Sequence, residues 1–417
     1  MHILISGAGI AGPTLAWFLA KLSIKVTIVE KSDAIRPYGQ SIELQATALQ
    51  AFKKTGLWEE VRRRHTTEKG TQFISPSGEI IASFPVREGL QASFTSAFEI
   101  LRGDLADILY QATKEHPEVT YRFGTTITRV VENGEKGVQV ELSDGSRREF
   151  DLLVAADGQW SKVRNMVFDP ATVALTYKGM YGAYWTIPRV PEDNDWWNVY
   201  IALRRRIIAL RPDPYGTVRV YITCMPTSPA KEKVWREASR SGRKVQEDLL
   251  KKEFFDAGWQ ATRFLNGMNS APDFYFQTVE QVKMKKWSLG RVVCIGDTAY
   301  APTPLTGKGT SLAVLGAYVL AGEISNLRTG QHPSKAFDAY EAKLRPFVEE
   351  TQRIPGVIPG IAHPTTSWQR CMLLYVLRFV SWAFGLSWVA RWVGSEEEED
   401  AIFPLPIYTG FGESMVE

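Results

Sequence analysis

A glycine-rich turn inside a strand–turn–helix–strand unit constrains this chain more than any other feature. His2 to Ser6 is a short apolar run with strand character, and Gly7, Gly9 and Gly12 follow at G-x-G-x-x-G spacing. Pro13 to Leu22 reads as a helix, and Lys25 to Val29 as a second strand ending in Glu30. This is the dinucleotide-binding pattern in the context it requires. Gly7 permits the tight turn, Gly9 has no Cβ to keep backbone from a pyrophosphate, and Gly12 lets the helix pack close to the sheet. Ile10 and Ala11 stand between the glycines, where the helix N-terminus presents free N–H groups to phosphates. Glu30, followed by Lys31, can accept hydrogen bonds from a ribose diol, and its charge would repel a 2′-phosphate. The bland alternative is a glycine-rich turn in an ordinary α/β domain.

At 417 residues the chain is too long for one simple core, so two domains or one elaborated domain is expected. Its 44% hydrophobic and 23% charged residues are those of an ordinary globular protein. The net charge is only +3, and Arg204-Arg205-Arg206 is too short a basic tract for nucleic acid. Cys224, Cys294 and Cys371 are odd in number and far apart, which argues against a disulfide framework and suits a reducing, cytoplasmic setting. The five histidines are scattered, so no metal site is expected. The N-terminal apolar run flows directly into the glycine turn and reads as part of the fold rather than a signal peptide.

Further along, Lys31 to Leu44 reads as a loop, and Thr47 to Arg64 as helical with a break at Gly56-Leu57. Phe73 to Pro85 reads as a hairpin around Pro76-Ser77-Gly78, and Val86 to Ser96 as a polar connection. Arg102 opens a helix; Val138 to Leu142 and Glu149 to Val154 flank the turn Ser143-Asp144-Gly145-Ser146. The strand Leu152 to Val154 then leads to Asp157-Gly158 and a short helix near Ser161. Asp157 stands where α/β sheets bind ligands, although capping the helix would explain it equally. From about Ala171 to Lys286 the chain becomes β-rich, and Tyr181, Tyr184, Trp185, Tyr200 and Tyr221 could stack on a planar molecule or simply fill the sheet core. Arg291 to Ile295 is a buried strand ending in Gly296-Asp297, and a second glycine-rich turn, Pro302 to Gly309, opens a long apolar helix. Residues 368–393 are apolar and Trp-rich, but the longest uncharged run, Phe379 to Ala390, is too short to span a membrane. Phe379, Trp382, Ala383, Leu386, Ala390 and Val393 fit one helical face, for which packing on the protein's own body is favoured over interfacial membrane contact. Glu396 to Asp400 reads as a solvated acidic run.

Three motifs thus stand in order: Gly7/Gly9/Gly12 with Glu30, Asp157-Gly158, and Gly296-Asp297 with Pro302, Gly307 and Gly309. Over residues 1 to 350 the chain resembles the single-component FAD-dependent aromatic hydroxylases, the group A flavoprotein monooxygenases. Within them it is most similar to the branch of the tetracycline-inactivating monooxygenase and many secondary-metabolite tailoring enzymes. The resemblance implies an α/β fold: a Rossmann-like FAD-binding domain with an inserted β-sheet substrate domain and C-terminal helices. On this basis residues 1–72, 98–170 and 287–345 are assigned to a discontinuous FAD-binding domain, 73–97 and 171–286 to the substrate domain, and 346–417 to a helical C-terminal segment.

The resemblance further implies non-covalent FAD. Gly7, Gly9 and Gly12 would approach its pyrophosphate, and Glu30 its adenosine ribose. Glu43 falls at a polar FAD contact, and Arg102 matches an arginine beside the flavin and phosphate. Asp157 and Gly158 match a motif implicated in both FAD and NAD(P)H binding. Asp297 would hold the ribitol, with Gly307, Gly309 and Thr310 along the isoalloxazine. NADPH or NADH would act as a transient reductant, O2 as co-substrate, and an electron-rich aromatic or apolar small molecule as substrate. Two positions depart from the family: Tyr300 where His is frequent, and Thr310-Ser311 where Asn is frequent. For a phenol, Arg204, Arg205 or Arg206, read as a strand, could supply a cation to the phenolate, although a solvent-facing charged edge is the simpler reading; no catalytic base is assigned. Gly182-Ala183-Tyr184-Trp185-Thr186-Ile187-Pro188 is similar to the Trp-x-Trp-x-Ile-Pro signature of flavin-dependent halogenases without its first Trp. A halogenase or a flavin-dependent dehydrogenase is therefore the rival reading.

Overall fold

The structure, a computed structural model, describes residues 1–37, 39–44, 46–66, 68–86, 99–354, 358–384 and 403–411. The chain opens with β1 (His2–Ser6), α1 (Ala11–Lys21), β2 (Lys25–Val29) and the short β3 (Ser41–Ile42). Next come α2 (Ala46–Lys53) and α3 (Trp58–Arg63), split at the expected break, where Gly56 takes φ 72°. The hairpin β4 (Gly70–Ile74) and β5 (Ile80–Pro85) precedes β6 (Ile100–Leu101), α4 (Arg102–Thr113) and β7 (Val119–Arg122). Then follow β8 (Ile127–Asn133), β9 (Val138–Leu142), β10 (Arg147–Phe150), β11 (Leu152–Ala155) and α5 (Lys162–Val167). The β-rich stretch holds β12 (Val173–Pro188), β13 (Trp197–Ala202), β14 (Arg206–Pro212) and β15 (Thr217–Cys224). It continues through α6 (Pro229–Ser239), α7 (Arg243–Phe254), α8 (Ala261–Met268) and β16 (Tyr275–Met284). The chain then runs through β17 (Ser288–Leu289), β18 (Val292–Cys294), α9 (Asp297–Tyr300) and α10 (Gly309–Ser325). Last come α11 (Ser334–Thr351), α12 (Ile358–Ala362) and α13 (Ser367–Phe384).

Six strands in the order β17-β18-β11-β1-β2-β7 form the first sheet, parallel except for the edge strand β17. Parallel strands are covered on both faces, which is why Ile3 to Ile5 and Leu152 to Ala155 are unbroken apolar runs. Ser6 of β1 is partnered to Ala155 of β11, and Ala155 to Cys294 of β18. The three motif-bearing loops therefore leave adjacent strands at one level, along the carboxyl edge where such sheets bind ligands. Helix α10, buried from Ser311 to Ile324, packs against α1, which explains its largely apolar sequence.

The second sheet has seven strands in the order β16-β12-β15-β14-β13-β4-β5. One face carries Tyr181, Trp185, Ile187 and Ile222 into a core closed by α6, α7 and α8. Part of the other face is covered by α13, whose Leu373, Leu374, Leu377 and Val380 pack on Phe73, Phe84, Val199 and Ile201. At the sheet edge Ser381 Oγ accepts from Ser83 N at 3.0 Å and donates to Ser83 O at 2.8 Å, so α13 shields β5.

Several expectations are corrected. Glu149 to Val154 is not one strand: Arg147–Phe150 pairs antiparallel with β9 and Leu152–Ala155 joins the parallel sheet, so the chain changes sheets at Asp151. Arg204 and Arg205 are not in a strand; with φ 61° and 60° they stand in the three-residue turn, 203–205, between β13 and β14. Helix α8 was not anticipated. On α13 the inward residues are Leu373, Leu374, Leu377 and Val380, whereas Phe379 and Trp382 of the expected packing face point outward. Leu386, Ala390, Val393, the acidic run 396–400 and most of the connection 86–96 lie outside the described residues. Among the described residues no helix is long and apolar enough to cross a membrane.

Candidate functional site

Packing within the protein demands glycine at two positions of the first turn and not at the third. A Cβ on Gly7 (φ 110°) would lie 2.5 Å from Ala156 O, and one on Gly12 only 2.1 Å from Gly7 O. Gly9 differs: its Cβ would meet nothing closer than Arg102 Nη2 at 3.9 Å, so internal packing does not require glycine there. Glu30 pins the turn, accepting from Ala8 N and Ser32 N at 3.0 Å each. Each oxygen keeps a further acceptor site. Lys31 is exposed, and Glu43 is half-buried just after β3. Arg102 opens α4, its backbone N–H donating to Gln40 O at 2.9 Å, with its side chain lying against Gly39.

The other two motifs meet each other. Gly158 N donates to Thr298 Oγ1 at 2.9 Å, and buried Arg164 donates to Thr298 O at 2.8 Å. Asp157 accepts from Ser161 Oγ at 2.5 Å, Lys162 N at 2.9 Å and Val163 N at 3.3 Å, and so caps α5. Burial raises its carboxyl above the ordinary range while these donors pull it back. Asp297 has no such company: its side chain makes no hydrogen bond among the described residues. Burial raises its carboxyl too, and here the countering influence is the charge of Arg102. Gly296 (φ 60°) would place a Cβ 3.2 Å from that of Ala11, so the Asp297 turn rests on the first turn of α1. Gly309 faces Asp297, its added Cβ falling 3.7 Å from Oδ1. Two buried glutamines that sequence reasoning missed fix the following loop: Gln281 donates to Pro302 O at 3.1 Å, and Gln352 to Tyr300 O at 3.1 Å. Thr303, also missed, is held at φ 89°, and Gly307 at φ 65°. Thr310 lies in the first turn of α10.

Facing this groove is a row of tyrosines. Tyr184 of β12 is directly opposite Tyr275 of β16 and Tyr221 of β15, so all three share one sheet face. Their ring centroids lie 5.0 Å (Tyr184–Tyr275) and 6.0 Å (Tyr184–Tyr221) apart. Burial raises the Tyr184 and Tyr275 phenols, and the Arg102 charge opposes the rise in both. Arg102 thus acts electrostatically on Asp297 and on two of the tyrosines. The other aromatics singled out in the sequence are core: Tyr181 stacks on Trp235, Trp185 Nε1 donates to Phe264 O at 3.1 Å, and Tyr200 Oη to Ala257 O at 2.9 Å. The arginine triplet is remote from the row. Arg206 is buried against Glu253 O and Asp256, Arg204 pairs with Asp256, and Arg205 N donates to Pro364 O at 3.1 Å. Arg204 and Arg206 are thus engaged by Asp256 and not free to meet a phenolate.

Residues 1–354 match the FAD binding domain family. "Monooxygenase CTB7" of Cercospora beticola is 36% identical over 393 residues, covering 91% of this chain and 92% of that protein. "FAD-dependent monooxygenase asL4" of Sarocladium schorii is 30% identical over 433 residues, covering 98% of each. The chain belongs to the FAD-dependent monooxygenases. Among solved structures, the tetracycline destructase Tet(55) superposes with TM-score 0.78 at 26% identity, covering 97% of this chain and 98% of that one. Klebsiella pneumoniae HpxO, complexed with FAD and uric acid, shares the fold with TM-score 0.73 at 20% identity, over 97% of this chain and 98% of that one. In this monooxygenase the departure at Tyr300 has a structural explanation. Tyr300 is buried, its hydroxyl lies 2.8 Å from that of Tyr340, and a Cβ on Gly316 would fall 2.0 Å from it. Its side chain belongs to the core and not to the groove.

Proposed function

We propose that this monooxygenase consumes NADPH or NADH and inserts one oxygen atom from O2 into an electron-rich aromatic or polycyclic small molecule, as part of secondary metabolism. The substrate lies between the FAD cradle and the tyrosine row. The observation that carries this reading is geometric: the three motif loops leave adjacent parallel strands at one level, and Tyr184, Tyr221 and Tyr275 share one face of the second sheet. The relatives are named as monooxygenases, and a tetracycline destructase, an enzyme of a polycyclic small molecule, shares the fold.

The residues fit FAD. Gly9, where packing does not demand glycine and the Arg102 guanidinium is near, suits a pyrophosphate, and the spare acceptor sites of Glu30 suit a ribose diol. The unpartnered Asp297 suits the ribitol, and the start of α10 at Gly307, Gly309 and Thr310 suits the edge of the isoalloxazine. Bound FAD supplies the redox chemistry, taking up a hydride and activating O2. The chain supplies the rest. Arg102 offsets negative charge on cofactor or substrate, the tyrosines stack on and orient the ring system, and α13 with the second sheet keeps water out. In this reading the backbone and cap of Asp157-Gly158 set the groove wall, and the Asp157 carboxylate serves α5.

An absorption spectrum of the purified protein, followed by NAD(P)H consumption in air with a panel of phenols and polycyclic aromatics, tests the proposal. A yellow protein whose oxidation of NAD(P)H rises with one compound, giving a product one oxygen atom heavier, supports it. Oxidation without oxygen incorporation assigns a dehydrogenase instead. A product formed only with added bromide or chloride assigns a halogenase.

A further inference from the structure

The proposed chemistry leaves the outward face of α13 unused. Trp368, Met372, Tyr375, Val376, Phe379 and Trp382 recur on it at helical spacing, each 53–73% exposed. The opposite face is packed on the second sheet. The helix is therefore apolar on two sides, and such helices are ordinarily enclosed. The stripe has the composition of a water–lipid boundary, rich in Trp, Tyr and Phe with a Trp near each end. Between Ser367 and Phe384 the only charged residues are Arg370 and Arg378. At the start of the helix, Thr366, Ser367 and Arg370 line an open cleft of about 580 Å³ with Arg204 and Arg206. Asp256 is the one acid in that lining, so the cleft is cationic overall.

We propose that this face of α13 docks on an anionic lipid bilayer, with the aromatic stripe in the headgroup region and the arginines meeting lipid phosphates. Charge selects this occupant over a second copy of the chain. Pairing two such helices would bring cations together with no carboxylate on either helix to offset them, whereas an anionic surface complements both arginines. The docking stands independently of the proposed reaction. If that reaction is correct, docking also brings the substrate groove close to where apolar molecules partition.

The test uses the full-length holoprotein and vesicles of phosphatidylcholine alone or mixed with phosphatidylserine. Co-sedimentation is expected with the mixed vesicles, weakening as salt is raised. The triple variant Trp368→Ser, Phe379→Ser, Trp382→Ser is expected to bind about tenfold less or weaker still, with flavin absorbance and melting midpoint unchanged. Arg378→Glu leaves the packed face intact and is expected to lower binding to the mixed vesicles only, which carries the test should the triple variant lose its fold. Equal binding to both vesicle types, or binding to neither, overturns the proposal. A concentration-dependent dimer in light scattering, dissolved by the triple variant and without vesicle binding, assigns the face to a second copy and overturns it as well.

Discussion

Asp157 and Asp297 occupy matched places. Each follows the carboxyl end of a buried parallel strand, Asp157 ahead of α5 and Asp297 as the first residue of α9, and their strands are neighbours with Ala155 opposite Cys294. Yet Asp157 takes three hydrogen bonds from its own helix, and Asp297 takes none among the described residues. The first carboxylate completes the fold, while the second faces a groove and Arg102. The same division separates Gly12 from Gly9 in the first turn. A position whose contacts are all internal is explained by folding, and one at the same level of the sheet that packing leaves unexplained is assigned to the cofactor only by the proposal above.

Substitutions can break this division. The largest effect is expected from Gly12→Ala, whose Cβ would meet Gly7 O; a loss of about 3 kcal/mol or more in chemical denaturation is expected. Gly9→Ala should unfold at the parent's denaturant concentration and bind FAD more weakly; equal loss of stability in both variants would erase the distinction. Asp297→Ala comes next, lowering FAD affinity by about 10- to 100-fold in a fluorescence titration while the flavin-free protein stays folded. Asp157→Ala should do the reverse, costing about 1 to 2 kcal/mol of stability through loss of the cap, with FAD affinity nearly unchanged. Tyr184→Ala should raise KM for the aromatic substrate about fivefold through lost stacking and alter kcat little, read from steady-state kinetics.

The smallest effect is in pH dependence. Burial raises the Asp297 carboxyl in the folded protein, so its ionised form opposes folding of the flavin-free chain at neutral pH. That cost fades as pH falls through the raised folded value toward the ordinary carboxylate value of about 3.9. Asp297→Asn should therefore stabilise the flavin-free protein at neutral pH, by a margin that shrinks on acidification. A margin independent of pH would show that the carboxyl is not perturbed.

The first turn was legible because every participant lies within thirty residues and each glycine has a local reason. The tyrosine row was only half legible. Tyr184 and Tyr221 were visible as candidates, but Tyr275 joins them through strand register, and Tyr181, Trp185 and Tyr200 leave them through the alternation of the pleat. Asp157 and Asp297 were inseparable because each simply follows a buried apolar strand; what divides them is whether backbone N–H groups of the following residues turn back to the carboxylate. Arg204 and Arg205 misled because non-glycine residues rarely adopt positive φ, so a turn built on two arginines carries no local signal. Gln281 and Gln352 gave no signal either, since their partners are backbone carbonyls distant in sequence.

The bond between Ser83 and Ser381 joins residues 298 positions apart. Strand β5 leaves the ribosome early, and the helix that shields its edge emerges near the end of the chain. At typical elongation rates the interval is about 15 to 60 s. For that time the nascent sheet presents a bare hydrogen-bonding edge, so the yield of soluble enzyme during synthesis depends on how well chaperones occupy it, and a premature stop ahead of Ser367 leaves the edge open for good.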